Sequence, residues 1–297
     1  MQYSKADKEM VEDGQFELKT NLSKRLAYSC KKGMKPESPN QDDFCVIAHD
    51  GILFLAVFDG HGPSGHSISN YAQSRLPKTF FSHEAFKSDT VEALKFAFSK
   101  TNTEIVSTTI QDGPFESEVS GTTATIVVIK DRTITFAYVG DSRGFIGAKQ
   151  GSIISPRFVT MDHKPDRPDE ARRILKMNGE VRKMANDIPH RLFMKGQDYP
   201  GIAVSRALGD SLAQSIGLSP EPQIEQFEVQ DSDTHIVIAS DGVWEFCTEV
   251  DVLNILNMND NLQRAAGLIV NLAWERWIHH EEDLVDDITT IVFKLNS

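Results

Sequence analysis

Apolar runs of strand length and helical apolar stripes follow one another along the chain in blocks. Residues 44–48 and 52–58 are nearly continuous apolar runs separated by His49-Asp50-Gly51, a turn-forming triplet, and they predict a buried hairpin. A short strand is expected before it at 26–30. A loop follows through Lys31-Lys32-Gly33-Met34-Lys35-Pro36-Glu37-Ser38-Pro39, marked by its glycine and prolines. Three further strands are expected at 122–129, 133–139 and 143–148, with turns at Lys130-Asp131-Arg132 and Lys149-Gln150-Gly151. Apolar runs at 236–240 and 288–295 add two more. Between these blocks the period changes. Val91, Leu94, Phe98, Thr101 and Ile105 share one face of a helix over 88–108, and Leu262, Ala266, Ile269, Ala273 and Trp277 one face of a helix over 261–278. Shorter helices are expected at 64–76, which Pro77 would end, at 168–177 and at 249–257; the second has Pro168 in its first turn and Gly179 beyond its end. Hairpins and paired helices in blocks, rather than strict strand–helix alternation, predict an α+β fold with mainly antiparallel sheets.

Two stretches show neither period. Residues 1–20 are polar and are expected to form an N-terminal arm ahead of one domain over 21–297. Residues 180–203 hold Pro189, Gly196, Pro200 and Gly201 and are expected to be a long irregular loop, a flap of the kind that carries function. The 297 residues, 40% hydrophobic and 25% charged, have the composition of a soluble globular chain. The formal net charge of −12 has no basic block to offset it, which argues against nucleic acid as the ligand. No apolar run approaches the roughly 20 residues of a membrane span. Cys30, Cys45 and Cys247 lie far apart with no CxxC pair, and read as buried thiols of a reducing compartment. The N-terminus, Met1-Gln2-Tyr3-Ser4-Lys5, is neither a signal peptide nor a myristoylation site, so the expected address is the cytoplasm or nucleus.

Candidate chemistry lies in acids at strand ends. Asp59-Gly60, closing the apolar run, has two readings. One is an ordinary Asp-Gly turn with His61 on the surface. The other is a carboxylate that needs a cation to offset its burial, with Gly60 exposing its carbonyl as a further ligand. Asp42, Asp141, Asp241 and Asp286 share the setting, in Asn40-Gln41-Asp42, Gly140-Asp141-Ser142, Ser240-Asp241-Gly242 and Asp286-Asp287. Strand ends can gather such groups although they are distant in sequence. Several carboxylates within a few ångströms cannot all stay ionised unless cations neutralise them. Ligation by oxygen alone points to Mg²⁺ or Mn²⁺ rather than zinc.

Eight segments in succession resemble motifs of the PPM (type 2C) metal-dependent serine/threonine protein phosphatases. They are Asn40-Gln41-Asp42-Asp43-Phe44, Phe58-Asp59-Gly60-His61-Gly62, Ser120-Gly121-Thr122-Thr123-Ala124 and Val139-Gly140-Asp141-Ser142-Arg143. Asp162-His163-Lys164-Pro165, Ala203-Val204-Ser205-Arg206-Ala207-Leu208-Gly209-Asp210, Ser240-Asp241-Gly242-Val243-Trp244-Glu245 and Asp286-Asp287-Ile288-Thr289 complete the series. Any one is weak; eight in register from about residue 26 to 295 are specific. The resemblance implies a four-layer αββα sandwich, two central antiparallel β-sheets flanked by helix pairs. It implies that Asp59 bridges two Mg²⁺ or Mn²⁺ ions with the Gly60 carbonyl on one of them, and that Asp241 and Asp286 hold the other. Asp42 would hold or orient a metal-bound water, and Asp141, with Asp241 and Glu245, would form a weaker third metal site. The implied reaction is in-line attack on phosphorus by the bridging water, without a covalent phosphoenzyme. His61 would protonate the leaving serine or threonine oxygen.

The chain departs from the family pattern in three places. Gln41 stands where many members have Glu, which shifts metal work to Asp42, and Glu245 stands where Asp is common. No arginine occurs between Arg25 and Asp42, so Lys35 and Lys32, with Lys31 beside them, are the cations available for phosphate, or else form a solvated basic turn. Ser142-Arg143 and Ser205-Arg206 lack an adjacent histidine and are expected to be structural, as are His163 and Lys164. The expected partners are phosphorylated proteins, met by a monomer. Two rivals remain: a pseudophosphatase that binds without turnover, and a metal phosphoesterase of small molecules. The retained Asp59, Asp241 and Asp286 speak against the first.

Overall fold

Two sheets, antiparallel except for the parallel edge strand Met10–Glu12, stack face to face, and helices cover the outer side of each. A computed structural model describes residues 10–12, 24–110, 113–151, 153–184 and 189–295. The expected N-terminal arm, apart from Met10–Glu12, lies outside the described residues. In the eight-stranded first sheet, β1 (Met10–Glu12), β3 (Asp42–His49), β4 (Ile52–His61), β6 (Ala124–Lys130), β7 (Thr133–Val139) and β14 (Gln223–Glu228) lie side by side in that order. The short β5 (Gly121–Thr122) and β13 (Leu208–Gly209) extend it at the end of β4. The second sheet has the order β2 (Leu26–Lys31), β16 (Ile288–Lys294), β15 (Asp233–Ala239), β8 (Arg143–Gln150) and β9 (Ile153–Val159).

The unbroken apolar run in β4 follows from this layering, because the strand has no wet face. Phe54, Ala56 and Phe58 point to helices α1 (Gly65–Ser82) and α2 (Thr90–Ile110), against Ile68, Leu76, Leu94 and Phe98. Leu53, Leu55 and Val57 point the other way, into the layer between the sheets, with Phe136, Ile146, Ile238 and Ile291. Burying both sets alternately is the period-2 geometry of a strand. On the far side, α6 (Glu249–Met258) and α7 (Leu262–Glu281) lay Val252, Leu256, Ala266, Ile269 and Ala273 on Val237 and Val292. The result is the four-layer αββα sandwich. Among the described residues no helix is long and apolar enough to cross a membrane.

The structure corrects several boundaries. Helix α1 does not stop at Pro77 but runs through it to Ser82. A helical proline costs about 3 kcal/mol; burying Phe80 beyond it returns a comparable 1.5–3 kcal/mol. Strand β4 continues past Phe58 to His61, because Gly60 and His61 pair with Thr122 and Gly121 of β5. The 180–203 segment is not irregular throughout. A three-stranded sheet of β10 (Gly179–Arg182), β11 (Arg191–Met194) and β12 (Pro200–Ile202) runs through it, with 185–188 outside the described residues. Its small core joins Leu192 and Val204 to Ile174 of α3 (Pro168–Lys176) and to Ala213 of α4 (Ser211–Gln214). Strands of three or four residues broken by glycine and proline show no period in sequence. Glu170, fully buried, ties this subdomain down: Arg173, Arg206 and Arg167 and the Ser205 hydroxyl all donate to it.

Candidate active site

The ends of β3, β4, β7, β15 and β16 meet at one edge of the sandwich, and each brings an aspartate. Asp42 opens β3 and sits opposite Asp59 of β4 in register. Asp59 is in a strand, not a turn: its N–H donates to Thr123 Oγ1 (3.1 Å), and its carbonyl accepts from Thr123 N–H (2.8 Å). Thr123 Oγ1 also meets Ser142 Oγ at 2.7 Å, which links β4 to the loop carrying Asp141. From the second sheet, Ser240 donates through its hydroxyl to Asp42 Oδ2 (2.7 Å) and accepts from Thr289 N–H (3.0 Å), joining the two sheets at the site. Asp241 follows as the first residue of α5 (Asp241–Trp244), and Asp286 precedes β16. Gly60 leaves no room for a side chain, which would meet the carbonyl oxygens of Gly65 (2.3 Å) and Gln41 (2.8 Å).

The electrostatics show how closely these groups sit. Burial, and then Asp241, Asp42, Asp286 and Asp141, hold the Asp59 carboxyl well above the usual carboxylate range. Asp241 is raised in the same way, by burial, Asp141 and Asp286, and shares a hydrogen bond with Asp59. Burial and the nearby Asp287 and Asp286 push Asp42 up to about 7, against the hydrogen bonds from Ser240 and Thr289. Two lysines answer part of this negative charge. Lys35 Nζ donates to Asp286 Oδ1 and Lys164 Nζ to Asp141 Oδ2. Burial opposes charge on Lys35, but Asp286, Asp287 and Asp59 outweigh it and raise its pKa. Among the described residues no three His, Cys, Asp or Glu side chains already converge as a ligand set.

Of the other expected site residues, His61 stands beside the cluster with Nε2 2.6 Å from Asp210 Oδ2. Burial works against its charge, but Asp210, with Asp141 and Asp241 beyond, raises its pKa overall. Glu245 is exposed at the end of α5 and Lys32 is exposed in its loop; neither joins the cluster as Lys35 does. Gln41 is a brace: its side-chain amide donates to Gly62 O (2.8 Å), and its carbonyl accepts from Gly60 N–H (3.1 Å) and Ser69 Oγ (2.6 Å). A glutamate there could not make the first bond.

Of the residues expected to be structural, Lys164 instead reaches the cluster at Asp141, while Arg143 and His163 take structural places. Arg143 grips Asp162 with two nitrogens (3.0 and 2.9 Å) and Glu249 with a third (2.6 Å). His163 is fully buried, and burial and Arg206 hold its pKa down at about 3. Its neutral ring accepts from Gly140 N–H through Nδ1 and so donates through Nε2 to Gln223.

Two functional neighbours carried no role in the sequence reading. Asp287 accepts from the N–H groups of Gly33 and Gln41, both at 2.8 Å, and so closes the 33–41 loop over the site. Asp210 is the fully buried partner of His61. Both lie in motif segments, at Asp286-Asp287 and Gly209-Asp210, but the segments do not distinguish a ligand from a clamp.

The comparisons with known proteins agree with this geometry. The family model described as Protein phosphatase 2C matches residues 35–280. A "Probable protein phosphatase 2C 61" of Arabidopsis thaliana is 31% identical over 267 residues, covering 86% of this chain and 81% of its own. A "Probable protein phosphatase 2C 35" of the same plant is 29% identical, covering 89% and 82%. Among solved structures, a serine-threonine phosphatase 2C from Toxoplasma gondii superposes with a TM-score of 0.80 at 21% identity, covering 91% of this chain and 94% of that one.

Proposed function

This chain belongs to the protein phosphatase 2C family and is a protein phosphatase; on that premise we propose that it hydrolyses phosphoserine and phosphothreonine in proteins with the help of divalent cations. The observation that carries the reading is the meeting of Asp42, Asp59, Asp141, Asp241 and Asp286, where burial and the neighbouring carboxylates raise the pKa values of Asp42, Asp59 and Asp241. Such a set fits a hard divalent cation. Its donors are all oxygen, and a cation relieves the repulsion that protons must otherwise absorb. Asp59, Asp241, Asp286 and the Gly60 carbonyl would hold two Mg²⁺ or Mn²⁺ ions, and Asp141 would belong to a weaker third site. Glu245, exposed as it is, would have to swing inward to serve that site. When bound, the ion pair lowers the pKa of a water shared between them and offsets charge on the phosphoryl oxygens.

The chain's own residues do the rest. Asp42, held by Ser240, orients the attacking water toward phosphorus. Lys35, hydrogen-bonded to Asp286 and one-third exposed, is the cation of this loop that can reach a phosphoryl oxygen, as a point charge. Its pairing with Asp286 favours it over Lys32. His61, whose pKa is raised, keeps a proton for the leaving serine or threonine oxygen, the poorest leaving group in the reaction. None of the three cysteines is in a disulfide, with Cys45 and Cys247 buried and Cys30 half-buried, which suits a reducing compartment, and we place the protein in the cytoplasm or nucleus, acting on phosphorylated proteins as a monomer.

The test is hydrolysis of a phosphothreonine peptide and of p-nitrophenyl phosphate, with Mn²⁺ or Mg²⁺ and with EDTA. Turnover of both that EDTA abolishes is expected. No metal-dependent turnover of either would sink the reading, and turnover of p-nitrophenyl phosphate alone would favour an esterase of small molecules.

A further inference from the structure

The pairing of His61 with Asp210 extends the proposed reaction, and its meaning rests on His61 being the acid. We propose that Asp210 is a positioning residue that holds the His61 ring by Nε2, so that the proton given to the leaving oxygen comes from Nδ1. The Nε2–Oδ2 distance of 2.6 Å is that of a strong, charge-assisted bond. The Asp210 side chain is 0% exposed while that of His61 is 31% exposed, so a substrate can reach the ring but not the carboxylate behind it. Asp210 Oδ1 is buried and has no hydrogen-bond partner among the described residues, which leaves His61 as the group this side chain serves.

The backbone that carries Asp210 is built to hold it there. Asp210 is left-handed, with φ 50°, a conformation uncommon outside glycine that aspartate tolerates. Its N–H donates to Ser120 O at 2.8 Å and its carbonyl accepts from Gln214 N–H at 2.9 Å. On either side, Gly209 N–H donates to Asn102 Oδ1 (3.0 Å) and Ser211 N–H to Ser117 O (2.9 Å). The carboxylate occupies the space a side chain at residue 121 would take: a Cβ on Gly121 would lie 2.1 Å from Asp210 Oδ2. A buried carboxylate, fixed from both sides and aimed at one ring nitrogen, is an orienting group.

An imidazole whose Nε2–H is given to a carboxylate has only its Nδ1 proton left to transfer. In the step, the bond from phosphorus to the serine or threonine oxygen breaks and its electron pair goes to that oxygen. The Nδ1 proton moves onto the same oxygen, and the neutral ring that remains keeps Nε2–H on Asp210. Other hydrolases set a carboxylate behind a histidine in this way to fix its tautomer and orientation.

The experiment compares wild type, His61→Ala, Asp210→Asn and the double variant on a phosphothreonine peptide and on p-nitrophenyl phosphate with Mg²⁺. Asp210→Asn is expected to lower kcat on the peptide by roughly 30–300-fold with KM within about threefold. On p-nitrophenyl phosphate, whose leaving group needs no proton, the loss should stay under about threefold, and the double variant should be no slower than His61→Ala. Equal losses on both substrates, or a loss that multiplies with that of His61→Ala, overturn the proposal. A His61→Ala variant that slows both substrates alike removes the acid reading and this one with it. A selective His61→Ala beside an unselective Asp210→Asn removes this one alone. Should Asp210→Asn fail to fold, two-bond ¹H–¹⁵N spectra of ring-labelled wild type decide, with His61 assigned through His61→Ala. Nε2 is expected to bear the proton in the neutral ring; a proton on Nδ1 instead overturns the proposal.

Discussion

Replacing Asp287 by asparagine separates the clamp from the chemistry. Its two carboxylate oxygens each accept one backbone N–H at 2.8 Å, from Gly33 and from Gln41, and the residue is 4% exposed. These bonds pin both ends of the loop that brings Lys35 to Asp286 and hands the chain on to Asp42. Asparagine accepts from one amide and presents its own NH₂ to the other. One hydrogen bond to a charged acceptor is lost, and such a bond contributes about 1.5–3 kcal/mol. Taking about 2 kcal/mol, at 1.4 kcal/mol per decade, local opening becomes roughly 30-fold more frequent. Hydrogen exchange at the Gly33 and Gln41 amides should therefore quicken by about that factor while strands β4 and β15 keep their protection. Peptide hydrolysis should fall roughly tenfold as Lys35 and Asp42 lose their placement. Exchange within about twofold of wild type at both amides would refute the clamp.

The remaining predictions concern charge. Asp42, Asp59 and Asp241 have folded pKa values above those of the unfolded chain, so their stability contribution is full below the usual carboxylate range and is lost as pH rises through the folded values, about 7 for Asp42. EDTA-treated protein should melt lower at about pH 8 than at about pH 5, and Mn²⁺ should remove that slope. Glu170 is the opposite case: burial would raise its pKa, but hydrogen bonds from Arg173, Arg206 and Ser205 lower it overall. Its stabilisation is present above the unfolded value and lost as pH falls through the folded one. Glu170→Gln, which removes a fully buried carboxylate from three half-buried arginines, should cost roughly 3–5 kcal/mol in urea denaturation and remove that acid sensitivity. Lys164→Gln frees Asp141 of its ammonium partner, and calorimetry should then show tighter binding of a third Mn²⁺ than in wild type.

The fold was legible where burial is simple. β3 and β4 read as a hairpin because both faces of β4 are covered, which makes its apolar run continuous. Of the outer helix pairs, α2, α6 and α7 read correctly because each has one wet face, and α1 only as far as Pro77. β9 was missed because its burial is partial throughout and Pro156 interrupts it, and β14 because it is an edge strand of mixed polar residues. Pro77 misled because a local rule was set against the burial of Phe80, which sequence alone does not show. At the site, the aspartates were legible as a residue type at strand ends. Their division of labour was not. Asp286 and Asp287 are adjacent, yet one faces Lys35 and the other clamps two backbone amides. Asp210 lies 149 positions from His61, and no period or motif spacing joins them.

The central claim is that these carboxylates hold divalent cations through Asp59. Equilibrium dialysis of wild type and Asp59→Asn against Mn²⁺, with peptide hydrolysis measured on the same samples, tests it most directly. The account predicts two tightly held ions per wild-type chain and a weaker third. In Asp59→Asn it predicts loss of the tight pair, a fall in activity on the order of a thousandfold or more, and a metal-free melting temperature no lower than that of wild type. An Asp59→Asn protein that still binds two ions tightly and still turns over the peptide would contradict it.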